Sequence, residues 1–204
     1  TSNSKGSIDS TMQFIGLTFR GGRMNENGGS FHLDAEEEYY SDPYWTAYRL
    51  NPKFVNCVFR DNRVSSSNST VSGGAFYLDE ASPIFESCVF DSNYAMSGGA
   101  IAVVGNPETY RDTLWIRNST IKNNAVSDSE NPGHGARGGG VSFNNGINAM
   151  IYNSVFENNA AVSYSNSGGG VYGGGLDVDN KWSAQLNPMV WIVNSRFSKN
   201  KIDH

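Results

Sequence analysis

Phe54-Val-Asn-Cys-Val-Phe59, with Asn62 three residues further on, is one copy of a motif that occurs six times in 204 residues. The other copies are Phe14-Ile-Gly-Leu-Thr-Phe19, Phe85-Glu-Ser-Cys-Val-Phe90, Ile116-Arg-Asn-Ser-Thr-Ile121, Ile151-Tyr-Asn-Ser-Val-Phe156 and Ile192-Val-Asn-Ser-Arg-Phe197. The trailing residue is Gly22 in the first copy and Asn62, Asn93, Asn124, Asn159 and Asn200 in the rest. Successive Phe/Ile anchors are 40, 31, 31, 35 and 41 residues apart, the period expected of a stacked repeat. A second motif lies between the copies: two glycines, a small residue and a short apolar alternation. It reads Gly28-Gly-Ser-Phe-His-Leu33, Gly73-Gly-Ala-Phe-Tyr-Leu78, Gly98-Gly-Ala-Ile-Ala-Val103, Gly138-Gly-Gly-Val-Ser-Phe143 and Gly168-Gly-Gly-Val-Tyr-Gly173.

Each repeat holds about three strands of two to five residues, alternating with period two and separated by breakers. None could bury its apolar side alone, so the repeats must stack on a shared core. The outer apolar positions of the first motif are five residues apart and would face opposite ways in a straight strand. A bend at the central residue returns both to the interior, and Asn tolerates the left-handed backbone that such a bend needs. Asn56, Asn118, Asn153 and Asn194, with Ser87 and Gly16, are therefore expected to form a corner ladder bonded from coil to coil. The fold predicted is all-β: a right-handed parallel β-helix of about six coils, one domain over 1–204, roughly 29 Å long.

Composition agrees. Gly, Asn and Ser supply 73 of the 204 residues, all poor helix formers, which excludes a helical bundle and disfavours a doubly wound fold. Aromatics at 12% and recurrent apolar runs argue against disorder. The net charge of -5, with Lys and Arg scattered, leaves no basic stripe for nucleic acid. No run approaches the length of a membrane helix, and Thr1 opens no signal peptide. The chain reads as a mature protein or a segment of a longer solenoid. Cys57 and Cys88 form no disulfide framework and match no zinc spacing. They occupy equivalent inward positions, filled elsewhere by Ser119, Ser154 and Ser195, and are expected as a buried stack of small residues.

The alternating GGA-apolar and F-x-x-N motifs resemble the repeats of the chlamydial polymorphic outer membrane proteins. They are also similar to those of many secreted bacterial parallel β-helix proteins. The resemblance runs from about Phe14 to Asn200 and is literal at Phe59–Asn62, Phe90–Asn93, Phe156–Asn159, Phe197–Asn200, Gly73–Ala75 and Gly98–Ala100. The first coil departs from it, with Gly22 for Asn and Ser30 for Ala. The resemblance implies the fold and a cell-surface or extracellular setting. It implies no single activity, since such proteins range from adhesins to polysaccharide-processing enzymes.

Strand alternation sends Phe31, Leu33, Phe76, Leu78, Ile101, Val103, Val141, Phe143 and Val171 inward. It leaves His32, Tyr77, Ala102, Ser142 and Tyr172, then Asp34, Asp79, Val104, Asn144 and Gly174, on one outer face. Two long loops are expected, at 34–53 and 174–188. The first contains Tyr39, Tyr40, Tyr44, Trp45 and Tyr48; the second contains Asp177, Asp179 and Trp182. These aromatics either cover the flank of the helix or, with Tyr77 and Tyr172, stack on a glycan or bind a protein. Calcium is the metal that Asp177-Val-Asp179 would suit, though a D-x-D pair is short of a full D-x-D-x-D-G loop; no other cofactor is expected.

A catalytic reading rests on His32, Asp34, Tyr77 and Asp79 of the outer face, candidates for acid–base work on a polysaccharide. Asp34 and Asp79 one coil apart would perturb each other. The third and fourth coils add no acid to that face, so the reading leans away from an enzyme. His134 and Arg137 sit in a glycine-rich loop that lacks the Lys-Ser/Thr ending of a phosphate cradle. Asn68 heads a sequon on an exposed loop and would be glycosylated if the source glycosylates, whereas Asn118 belongs to the corner. The expectation is a non-catalytic module for adhesion, glycan binding or end-to-end assembly. Its rivals are a polysaccharide lyase, epimerase or hydrolase, and a structural filament subunit.

Overall fold

A computed structural model describes residues 8–35, 50–67, 70–105, 113–129, 134–144, 148–164, 170–179 and 189–203. Among them there is no helix, and so none long and apolar enough to cross a membrane. The strands form a right-handed parallel β-helix of six coils. The first sheet takes the segment before each corner: Gln13–Ile15, Lys53–Val55, Ile84–Glu86, Thr113–Arg117, Asn148–Tyr152 and Val190–Val193. The second takes the segment after it, from Thr18–Arg20 through Val58–Arg60, Val89–Asp91, Thr120–Lys122 and Val155–Glu157 to Arg196–Ser198. The third follows the trailing Asn, from Arg23–Met24 to Lys201–Asp203. These three sheets run through all six coils, and the glycine segments add a fourth, of five strands.

The motif alignment is the strand register. Phe19, Phe59, Phe90, Ile121, Phe156 and Phe197 pair in sequence down the second sheet. Phe14, Phe54, Phe85, Ile116, Ile151 and Ile192 do so down the first. Like rings therefore meet between coils, with Phe14 stacked on Phe54 at 4.7 Å and Phe31 on Phe76 at 4.8 Å. Within a coil, rings from different sheets meet edge to face, as Phe59 and Phe76 do at 78°. Each fully buried ring contributes about 1.5–3 kcal/mol by leaving water.

The corner residues adopt the expected left-handed backbone: Gly16, Asn56, Ser87, Asn118, Asn153 and Asn194 have φ between 48° and 67°. Asn194 Nδ2 donates to Asn153 Oδ1 at 2.7 Å, and Asn153 Nδ2 to Asn118 Oδ1 at 3.2 Å. The trailing asparagines build a second ladder, and this one is buried. Asn62, Asn93, Asn124 and Asn159 each donate Nδ2 to the Oδ1 of the next member, at 3.0, 2.9, 2.9 and 2.8 Å. Each also donates its backbone N–H to that same oxygen. A further Nδ2 bond reaches the carbonyl of the anchor one coil back, Phe59 O for Asn93 and Phe90 O for Asn124. Cys57 and Cys88 are buried free thiols in line with Ser119 and Ser154, and burial pushes the Cys88 thiol up to about 12.

The fifth glycine strand differs from the expectation. Leu176–Asp179, not the segment from Val171, continues the fourth sheet, with Val141 paired to Leu176 and Asn144 to Asp179. The glycine pair explains why. Its first member needs positive φ, 73° at Gly73 and 53° at Gly173. Its second lets neighbouring coils close: a Cβ on Gly74 would stand 2.1 Å from Gly99 O, and one on Gly174 would stand 2.3 Å from Lys201 O. Gly173-Gly174 meets both demands. Val171 instead packs against Val126, Ala136 and Ala161, and Val171–Tyr172 pairs with Ala136–Arg137 in a two-stranded sheet. Arg137 thus lies on a strand, not a loop.

Candidate functional site

The corrected register changes the outer face of the fourth sheet. One line of side chains is His32, Tyr77, Ala102, Ser142 and Asp177; the next is Asp34, Asp79, Val104, Asn144 and Asp179. Asp177 and Asp179 therefore extend this face at its far end instead of belonging to a loop, and Gly174 is not part of it.

At the near end, Asp34 and Asp79 are register neighbours, and the His32 ring meets Tyr77 edge-on at 4.9 Å. Burial raises the Asp79 carboxyl above the usual carboxylate range, aided by the neighbouring Asp34; His32 and a hydrogen bond with Tyr77 oppose the rise. The Tyr77 phenol is pushed up to about 12, chiefly by burial and then by the two carboxylates. The four candidate acid–base residues are thus brought together, with the protons of Asp79 and Tyr77 both held more tightly than usual.

In the central coils the face is not fully open, because Ala102 and Ser142 are wholly buried. The residue immediately before each glycine pair forms a rail beside the sheet, Ser72 bridging to Ser97 and Ser97 to Arg137. The Ser97 hydroxyl donates to Ser142 Oγ at 3.2 Å. Between this rail and the Val104–Asn144–Asp179 line lies a groove of about 350 Å³, lined also by Thr70, His134 and Gly135. Arg137 closes the far end. It is ion-paired with Asp179, stands 3.8 Å from an Asp177 carboxylate oxygen, and lies over the Tyr172 ring at 4.4 Å.

A guanidinium therefore stands against the two carboxylates considered for calcium. Among the described residues no group of three or more His, Cys, Asp or Glu is placed to hold a metal. Tyr172 is exposed on its strand beneath Arg137. Tyr39, Tyr40, Tyr44, Trp45, Tyr48, Trp182 and Asn68 lie outside the described residues.

Two features escaped the sequence reading. One is the rail, whose signal is the position just before each glycine pair: Ser72, Ser97, Arg137 and Tyr172. The other is a set of aromatic side chains on the outer face of the first sheet, beside the anchors Ile116, Ile151 and Ile192 of the last three coils. There Trp115 and Tyr152 stack at 6.3 Å, Arg117 lies over Trp115 at 4.1 Å, and Trp191 is exposed.

No protein-family model, curated protein or solved structure matches this chain.

Proposed function

We propose that the chain is a non-catalytic β-helix module, working at the cell surface or outside the cell, that binds a glycan along the fourth-sheet groove. The observation that carries this reading is the groove itself. The hydroxyl-bearing Thr70, Ser72 and Ser97, the amide-bearing Asn144 and the carboxylate-bearing Asp179 line one depression, and the Tyr172 ring lies under Arg137 of the same lining. Such donors and acceptors on a rigid scaffold suit a polyhydroxylated chain, and aromatic rings suit its apolar sugar faces. The surface setting is supported by the repeats' resemblance to those of bacterial surface proteins.

Retention on a panel of immobilised polysaccharides tests the reading. Wild-type protein should be held by at least one glycan, and Ser97→Val and Asn144→Leu should each weaken that binding about tenfold. Binding unchanged in both variants would remove the groove from the site.

A catalytic reading is favoured by one observation, the contact of His32, Tyr77 and the raised-pKa Asp79 on one patch. It requires chain cleavage or epimerisation in the same assay, and loss of that turnover in Asp79→Asn. End-to-end assembly is favoured by a different one: Ile192, Phe197 and Ile202 of the last coil expose apolar surface beside a strand edge of the kind that accepts further strands. Concentration-dependent association in sedimentation supports it, and a monomer at every concentration refutes it.

A further inference from the structure

The groove's charge narrows its ligand, given the glycan-binding reading above. Its one lining guanidinium is already engaged, since Arg137 is ion-paired with Asp179, approaches Asp177 and covers Tyr172. Along the same face Asp79 is the register neighbour of Val104 and Asp34 of Asp79, so the acidic line continues from the groove toward the first coil. The face thus presents four carboxylates against one guanidinium among the described residues. The imidazoles of His32 and His134 are its remaining basic groups there. The other described Lys and Arg lie on different sheets or at their corners, Lys53 and Arg117 on the first and Arg20, Arg60 and Lys122 on the second, for example.

We infer that the groove discriminates by charge, taking an amine-bearing glycan in preference to a neutral one and a neutral one in preference to a polyuronate. The hydroxyl and amide groups of Ser72, Ser97 and Asn144 serve any sugar. The carboxylates set the order: a protonated amine on the chain gains attraction where the line reaches Asp79 and Asp34, whereas a uronate meets no unengaged guanidinium among the described residues there and is repelled by those two groups. Ser97 and Asn144 therefore govern affinity, and Asp34 and Asp79 govern selectivity.

The test uses the full chain and three oligosaccharides of equal length: glucosamine oligomers at a pH where their amines are protonated, N-acetylglucosamine oligomers and galacturonate oligomers. Calorimetry at low salt should rank them in that order, with roughly tenfold between the first and the last, and added salt should collapse the spread without weakening the neutral oligomer. The double variant Asp34→Asn/Asp79→Asn should narrow the cationic-to-anionic ratio by about tenfold. Circular dichroism of the variant establishes that it is folded. Galacturonate binding equal to or tighter than neutral binding overturns the inference, as does a ratio that the double variant does not move. If the neutral oligomer binds in either case, the groove reading survives the loss of the charge argument. If no oligomer binds, both fail together.

Discussion

Asparagine does two different jobs here, and the difference lies in burial. Asn124 is wholly buried, and its amide meets four partners: it accepts from the Asn93 backbone N–H and Nδ2, and donates to Phe90 O and Asn159 Oδ1. Removing it strands polar groups with no water to replace it, each at about 1–3 kcal/mol. Asn124→Ala should therefore destabilise by about 3 kcal/mol or more in denaturant titration. Asn153 sits at an exposed corner with φ 48°, where glycine is equally at ease. Asn153→Gly should cost under about 1 kcal/mol, and equal losses at the two sites would show that the buried ladder is not special. Asp79 adds a dependence on pH. Its carboxyl holds its proton more tightly in the folded chain than an ordinary carboxyl does, so the folded state binds more protons and stability falls as pH rises through the raised pKa. Asp79→Asn removes that slope. Thermal melts should find the variant as stable as wild type, or up to about 1 kcal/mol more stable, at neutral pH after allowance for solvent screening. The two should converge as pH falls toward the usual carboxylate range. A wild type more stable than the variant at neutral pH would contradict the assigned cause.

At the scale of the element, glycines in one coil and the next are not equivalent. A Cβ on Gly74 would stand 2.1 Å from Gly99 O and 2.7 Å from both Tyr94 N and Tyr94 O, all of them backbone atoms and the latter two held in the third sheet. Gly74→Ala should therefore cost about 3 kcal/mol or fail to fold. Gly16 has φ 67° and nothing within 4 Å of its Cβ position, and the coils stacked after it carry Asn or Ser there. Gly16→Asn should be neutral to slightly stabilising, by lengthening the corner ladder, and a large loss there would refute the ladder's role. These contrasts also mark what could be read in advance. The corner was legible because a five-residue apolar spacing breaks strand phase, which only a bend at Asn56 and its counterparts repairs. The trailing asparagines were visible as a recurrence, but their burial depends on neighbours one coil away. The fifth glycine copy was placed wrongly because Gly168–Gly170 and Gly173–Gly175 both satisfy the local pattern. The close approach of Lys201 O to Gly174 and the pairing of Leu176 with Val141 select the second, and both depend on the neighbouring coils. The groove stayed hidden for the same reason: Arg137 reaches Asp177 and Asp179 only once that register is correct.

Over the whole molecule, stability should follow the stack. Each coil touches only its neighbours, so an interior coil buries both of its faces and an outer coil one. The burial follows this rule: Phe59, Phe90, Ile121 and Phe156 of the second sheet are wholly buried, whereas Phe197 in the same line is exposed. The buried ladder follows it too. Asn93 and Asn124 are bonded on both sides, while Gly22 offers only a backbone N–H to Asn62 Oδ1. Opening the molecule from either end thus breaks one interface, whereas opening it at the middle breaks two and leaves the Asn ladder cut in a dry interior. Native-state hydrogen exchange should therefore be graded along the axis. The amides of Val89–Asp91 and Thr120–Lys122 are expected to exchange most slowly, at the global unfolding free energy. Those of Thr18–Arg20 and Arg196–Ser198 should open more readily, by about 2 kcal/mol or more, since each outer coil lacks one set of stacked rings. Uniform protection across all six coils would mean that the solenoid unfolds as one unit. The buried Asn ladder, continuous from Asn62 to Asn200, would then be the element that couples the coils, and Asn124→Ala should convert the uniform pattern into a graded one.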